Sequence, residues 1–171
     1  MGTEAVTTPS VPPIVLIVED DLDTRDLYET VFNLAGFWVA EAPDAEAAFQ
    51  HALELQPDVI VTDIGLAGRC DGVDLASRLH AVPRMADVPV IAVTGRNLAE
   101  IGTEAEFSEL LQKPVTPDML VETTRRVLAA SAALRARGER ARARIPELIE
   151  KSDRLLNASA SLRRAPDDSD A

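Results

Sequence analysis

The chain holds a single cysteine, Cys70, among its 171 residues. An intrachain disulfide framework and a cysteine-rich zinc site are therefore excluded. Aromatic residues make up only 4% of the chain. No apolar run approaches the ~18 to 20 residues that a membrane-spanning helix needs. The amino terminus, Met-Gly-Thr-Glu-Ala-Val, lacks the basic start and apolar stretch of a secretory signal. A soluble protein of the cytoplasm is the expectation, with no membrane partner. There are two histidines, His51 and His80, and neither has a cysteine or carboxylate at metal-ligand spacing; both are expected on helix surfaces.

Positive charge is scarce as well, and unevenly so. The formal net charge is −12, but residues 1–130 hold 22 acids and 8 bases (−14), whereas residues 131–171 hold 7 acids and 9 bases (+2). The main body would repel nucleic acid, which favours bases clustered on one face. Only Arg135 to Arg144, with five arginines and one glutamate, offers a basic stretch. The asymmetry predicts two parts.

Along the chain, short apolar runs alternate with amphipathic segments. Residues 1–12 read as a flexible arm, and 13–130 as the main domain. Ile14–Val18 has the β-branched, continuously apolar character of a strand buried on both faces. Leu27, Val31 and Leu34 recur at helical spacing, with Gly36 as the stop. Phe37–Ala40 reads as a strand, and Asp44 caps a helix with Ala48, Leu53 and Leu55 on its apolar face. Strands over Val59–Thr62, Val88–Val93 and Phe107–Gln112 are expected, with helices over Val73–Val82 and, weakly, around Leu98–Gly102. Thr116 caps a further helix with Pro117 at its first position, where proline costs least. Strands alternating with helices predict an α/β fold, a doubly wound parallel sheet with right-handed crossovers.

Such sheets gather their functional residues at the carboxyl ends of the strands. Glu19, Asp20 and Asp21 follow the first strand, Asp63 the third, Thr94 the fourth and Lys113 the fifth. Crowded carboxylates repel one another and raise each other's pKa values. A hard cation such as Mg²⁺ resolves the conflict through oxygen ligands while keeping several waters. A carboxylate is also a competent nucleophile toward a phosphoryl group. The Thr94 hydroxyl and the Lys113 ammonium suit phosphoryl oxygens. Asp21 is read as a helix cap in preference to a metal ligand. Taken singly, Asp63, Thr94 and Lys113 could each be an ordinary loop, turn or surface residue.

Four stretches carry a resemblance: Val15 to Asp21 (Val-Leu-Ile-Val-Glu-Asp-Asp), Val59 to Asp63 (Val-Ile-Val-Thr-Asp), Val90 to Gly95 (Val-Ile-Ala-Val-Thr-Gly) and Lys113-Pro114. In this order they resemble the signatures of bacterial two-component response-regulator receiver domains, chemotaxis-receiver-like and stand-alone. The resemblance implies a flavodoxin-like, five-stranded sheet of order 2-1-3-4-5. It implies Asp63 as phosphoacceptor, Asp20 as a direct ligand of Mg²⁺, Glu19 as one through water, and the Gly65 backbone carbonyl as a further ligand. Thr94 and Lys113 would hold phosphoryl oxygens, across a cis Lys113–Pro114 bond. A histidine kinase or phosphotransfer protein is the implied donor. The chain would be a phosphoacceptor signalling protein, its only chemistry self-phosphorylation from small donors and autodephosphorylation.

The sequence departs from that pattern at three places. Ala67 stands where proline is common, and Gly72 comes one residue later than usual. The stretch from Thr94 to Lys113 is shorter than usual. The switch position, normally aromatic, is Leu110. Two other functions remain open: a pseudo-receiver scaffold acting without phosphorylation, and a haloacid-dehalogenase-like hydrolase with an aspartyl-phosphate intermediate. The latter needs a general acid two residues after its nucleophile, where this chain has Gly65.

Residues 131–164 read as a helical extension and 165–171 as a disordered end. Alanine and arginine favour helix, with a pause expected near Gly138 and a new helix starting at Pro146. Leu148, Ile149, Leu155, Leu156 and Leu162 give that helix an apolar stripe. The stripe would fold on the main domain, pair with a second copy, or bind a downstream protein. No helix-turn-helix pattern is present, so no DNA contact is expected. Some chemotaxis-type receivers bind a cyclic dinucleotide through arginine-rich extensions, and Arg135–Arg144 is faintly similar; a solvated helix face is the plainer reading.

Overall fold

The computed structural model describes residues 11–96 and 107–162, with side chains throughout except at 148, 153 and 155–162. Five strands, β1 (Ile14–Val18), β2 (Trp38–Ala42), β3 (Val59–Asp63), β4 (Val90–Thr94) and β5 (Glu109–Gln112), form one sheet of order β2-β1-β3-β4-β5. All pairings are parallel. The helices are α1 (Leu22–Leu34), α2 (Ala45–Leu55), α3 (Gly72–His80) and α4 (Pro117–Leu162). The expected doubly wound, flavodoxin-like sheet is what the chain forms; the helical stretch expected around Leu98–Gly102 lies outside the described residues.

The central strands β3 and β4 are buried along nearly their whole length, which explains their unbroken apolar sequence. Successive side chains alternate between two cores. Leu16, Val18 and Ile60 pack with Ala45, Ala48 and Leu75 on the α2–α3 face. Val15, Ile17 and Val61 pack with Phe32, Leu120 and Val127 on the α1–α4 face.

Helix starts follow the expected caps. The Asp44 carboxylate accepts from the Ala47 amide at 2.8 Å, and Thr116 Oγ1 accepts from the Met119 amide at 3.3 Å. Gly36 ends α1 with φ +85°, a conformation a Cβ would disfavour.

Three expectations need correction. In α1 the inward face is Tyr28 and Phe32, one turn apart, while Leu27 and Leu34 are 51% and 85% exposed. Two overlapping apolar stripes ran through that helix, and the aromatic stripe buries more area. In α2 Ala48 is buried and Leu53 packs partly on the core as expected, but Leu55 is exposed, and Ala45 and Ala52 complete the inward face; small residues let the helix lie close to the sheet.

The third concerns the extension. No pause occurs at Gly138 and no new helix begins at Pro146, because α4 is continuous with Pro146 inside it. Proline gives up one hydrogen bond and costs about 3 kcal/mol, glycine about 1 kcal/mol, against a run of strong helix formers. The chain divides into two compact units, Met1–Ser131 and Ala132–Ala171. Among the described residues no helix is long and apolar enough to cross a membrane.

Candidate functional site

Strand register sets the site. Val18 pairs with Thr62, Asp63 with Val93, and Thr94 with Gln112, so the carboxyl ends of β1, β3, β4 and β5 are level. The residues that follow those ends therefore emerge side by side.

Of the three acids after β1, Asp21 turns to its own helix. Its carboxylate accepts from the Thr24 amide at 2.8 Å, and the hydrogen bonds from Thr24 hold its carboxyl below the usual range. Glu19 turns inward instead and is only 2% exposed. Burial pushes the Glu19 carboxyl up, and the hydrogen bond from Lys113 offsets this without cancelling it. Asp20 is exposed and accepts from the Ala67 amide at 3.3 Å, tying the β1 end to the loop after β3.

Asp63 Oδ1 accepts from the Gly65 amide at 2.8 Å, and Oδ2 accepts from Lys113 Nζ at 2.8 Å. Lys113 Nζ also donates to Glu19 Oε2 at 3.1 Å. Burial alone would pull the Lys113 ammonium down, but hydrogen bonds and charge from Asp63 and Glu19 outweigh it, so its pKa is raised. One carboxylate oxygen each from Glu19, Asp20 and Asp63 lies within 4.8 Å of the other two. An all-oxygen set with one solvent-facing member has the donor chemistry of a hard, partly hydrated cation.

Thr94 is fully buried at the β4 end. Its hydroxyl accepts from the Arg96 amide at 3.0 Å, and its carbonyl accepts from the Lys113 amide at 2.7 Å. The Lys113–Pro114 peptide is cis. Leu110 is half-buried and packs on the core that contains Met85 and Phe107. Glu19, Asp20, Asp63 and Lys113 are thus drawn into one cluster, with Gly65 bonded to Asp63 and Thr94 bonded to the Lys113 backbone.

Sequence reasoning missed Arg25. Its Nη1 donates to the Glu19 carbonyl at 2.8 Å and its Nε lies 3.8 Å from Glu41 Oε1, so it braces the loop that presents the acids. Its placement one turn inside α1 was the available signal. Cys70 lies 3.9 Å from Arg78 Nη1, outside the acid cluster. Trp38 is 57% exposed at the start of the edge strand β2.

Comparison with known proteins is consistent with this geometry. Residues 15–125 match the family described as response regulator receiver domain. The transcriptional regulatory protein PrrA of Mycobacterium tuberculosis is 38% identical over 132 residues, covering 75% of this chain and 53% of PrrA. The C4-dicarboxylate transport transcriptional regulatory protein DctD of Pseudomonas aeruginosa is 31% identical over 153 residues, covering 88% of this chain and 32% of DctD. This chain thus spans about a third to a half of the length of these relatives. The crystal structure of a putative response regulator from Chloroflexus aurantiacus superposes with a TM-score of 0.64 at 34% identity, covering 69% of this chain and 98% of that one.

Proposed function

This chain belongs to the response regulator receiver domain family, and from that premise we propose that it signals by accepting a phosphoryl group on Asp63. The observation that carries the reading is the Asp63 carboxylate, 2.8 Å from Lys113 Nζ, with Glu19 and Asp20 oxygens within 4.8 Å.

In this reading an Asp63 oxygen attacks the phosphorus of a phosphohistidine, and the P–N bond breaks with its electrons returning to the imidazole. With a small acyl phosphate the P–O bond breaks and the carboxylate leaves. The product is an aspartyl phosphate, a reactive acyl phosphate that water hydrolyses to the carboxylate and inorganic phosphate. Lys113 exchanges its bond to Asp63 for one to a phosphoryl oxygen. The Thr94 hydroxyl, which accepts from the Arg96 amide, donates its own proton to another. Asp20 and Asp63, the Gly65 carbonyl, and Glu19 through water are the groups suited to hold Mg²⁺. When bound, Mg²⁺ would neutralise the phosphoryl oxygens as charge gathers on them. Gly65 supplies no general acid, so sustained hydrolysis of phosphate esters is not the function favoured.

A histidine kinase or phosphotransfer protein is the proposed donor. Output passes to a protein partner, from a receiver over 13–130 and a helical extension over 131–164, in the cytoplasm. The test is incubation with Mg²⁺ and acetyl phosphate, read by intact mass and by a beryllofluoride-induced change in tryptic protection. Wild type should take up one phosphoryl group and Asp63→Asn none. Equal response of the two, or no response from wild type, refutes it.

A further inference from the structure

Arg25 is a cation close to the amino-terminal end of α1, where the helix dipole is positive and favours anions. Its backbone is ordinary, the amide donating to the Asp21 carbonyl at 3.0 Å. Side chains of a helix lean toward its amino terminus, so the guanidinium reaches back over the first turn to the loop after β1. There the side chain is only 15% exposed, with Nη1 donating to the Glu19 carbonyl at 2.8 Å and Nε facing Glu41 Oε1 at 3.8 Å. Helix stability does not account for a cation at this place; the contacts of its guanidinium do.

Those contacts converge on Glu19. The Glu19 amide donates to the Ala42 carbonyl of β2 at 3.2 Å, Oε1 accepts from the Asp21 amide at 3.3 Å, and Oε2 accepts from Lys113 Nζ at 3.1 Å. Arg25 adds the bond to the carbonyl. A peptide unit is planar and rigid, so holding the Glu19 carbonyl fixes the plane that joins Glu19 to Asp20. Asp20 in turn accepts from the Ala67 amide at 3.3 Å. Arg25 therefore sets the relation of the two acids through the backbone, and the Glu41 carboxylate gives its guanidinium an anionic rest on β2.

Charge and placement have opposite consequences here. A guanidinium beside an acid cluster repels a divalent cation. If Arg25 acted by charge alone, removing it would tighten magnesium binding. If it acts by placement, removing it weakens binding. We propose that Arg25 is a positioning residue for magnesium. It holds the Glu19–Asp20 peptide in the arrangement that gathers oxygens of Glu19, Asp20 and Asp63 within 4.8 Å, and this outweighs its own repulsion. The proposal rests on the reading of that cluster as a magnesium site.

The test is a titration of the full chain with Mg²⁺ alone, read by amide NMR shifts, with no phosphoryl donor present. Arg25→Gln should weaken binding by about tenfold, the usual effect of losing a group that orients metal ligands. Arg25→Lys keeps the charge but loses the planar fork that serves Glu19 and Glu41 together, so it should weaken binding as well. With acetyl phosphate, the magnesium concentration giving half the maximal rate of phosphoryl uptake should rise by the same factor. The rate at saturating magnesium should stay within about twofold of wild type, since placement sets affinity and leaves the nucleophile alone. Circular dichroism checks the fold; should Arg25→Gln unfold, Arg25→Lys decides. Arg25→Lys binding as tightly as wild type overturns the proposal, as does a folded Arg25→Gln that binds as tightly or more tightly. In either case the magnesium site itself stands. Wild type without any magnesium-dependent shift overturns both the proposal and the reading beneath it.

Discussion

Gly72 rests directly on the backbone of Asp63: a β-carbon built at Gly72 would lie 2.3 Å from the Asp63 carbonyl oxygen and 2.9 Å from Cα of Ile64. The Gly72 amide also donates to the Ile64 carbonyl at 3.1 Å. Immediately before it, Asp71 forms a capping box with Asp74, each side chain accepting from the other's backbone amide. The start of α3 is therefore fastened to the β3 end, and the loop between them is closed at its base. The Asp63 backbone that carries the carboxylate is thus packed against the start of α3.

Gly72→Ala is expected to displace the β3 end, because the obstructing atoms are backbone and cannot rotate away. Overpacking of this kind costs about 1–3 kcal/mol. A shift of the nucleophile near 1 Å is enough to slow group transfer by about a hundredfold. Thermal melting and the rate of phosphoryl uptake from acetyl phosphate measure the two effects. A variant with unchanged melting and unchanged rate would show that the contact is slack.

What could be read from residues alone follows from how local each signal is. Asp63 and Lys113 were legible because a strand's period and its end are encoded in a few neighbouring residues, and a parallel sheet brings such ends together. The closeness of Gly72 to Asp63 was not, since it arises where a helix start meets a strand end across a loop. For Arg25 the one local signal is its place a turn inside α1; its acceptor, the Glu19 carbonyl, is a backbone group, so that place alone does not name the contact. In α1, Leu27 and Leu34 competed with Tyr28 and Phe32 for the inward face, and only packing against Phe37, whose ring lies edge-on to Phe32 at 5.3 Å, decides it. The unbroken α4 defeated a rule that is sound for glycine and proline singly, because propensity summed over the alanine- and arginine-rich stretch outweighs both.

Lys113 is the internal counterion of the acid cluster, bonded to both Glu19 and Asp63. Lys113→Ala removes that charge and leaves two partly buried carboxylates facing each other. Without divalent metal the variant is expected to lose about 1–3 kcal/mol, the usual cost of stranding such partners. Added Mg²⁺ should then raise its melting temperature by more than it raises that of wild type, because an ion binding the folded state alone stabilises by mass action. Differential scanning fluorimetry across a magnesium titration, with EDTA as the zero point, reads the difference directly. Equal magnesium responses would mean that Lys113 and the metal do not share the same carboxylates.

Glu41 gives a pH dependence outside the acid cluster. Its Oε1 is buried without a hydrogen-bond partner, and Arg25 Nε stands off at 3.8 Å. Burial is the main cause that pushes its carboxyl above the ordinary 4.5; Glu29 and Asp26 add to it, and Arg25 opposes it. A carboxyl with a raised folded value binds its proton more tightly in the folded state. Its contribution therefore favours folding most below the unfolded value, and that advantage is lost as pH rises through the folded value. Glu41→Gln removes the ionisable group while keeping the shape. The variant should melt higher than wild type at pH 8, with the gap narrowing as pH falls and closing below about pH 4, where both side chains are neutral. Melting curves from pH 3.5 to 8 test the sign. A variant less stable than wild type at pH 8 would mean that the attraction to Arg25 outweighs the burial of charge, and the argument would be reversed.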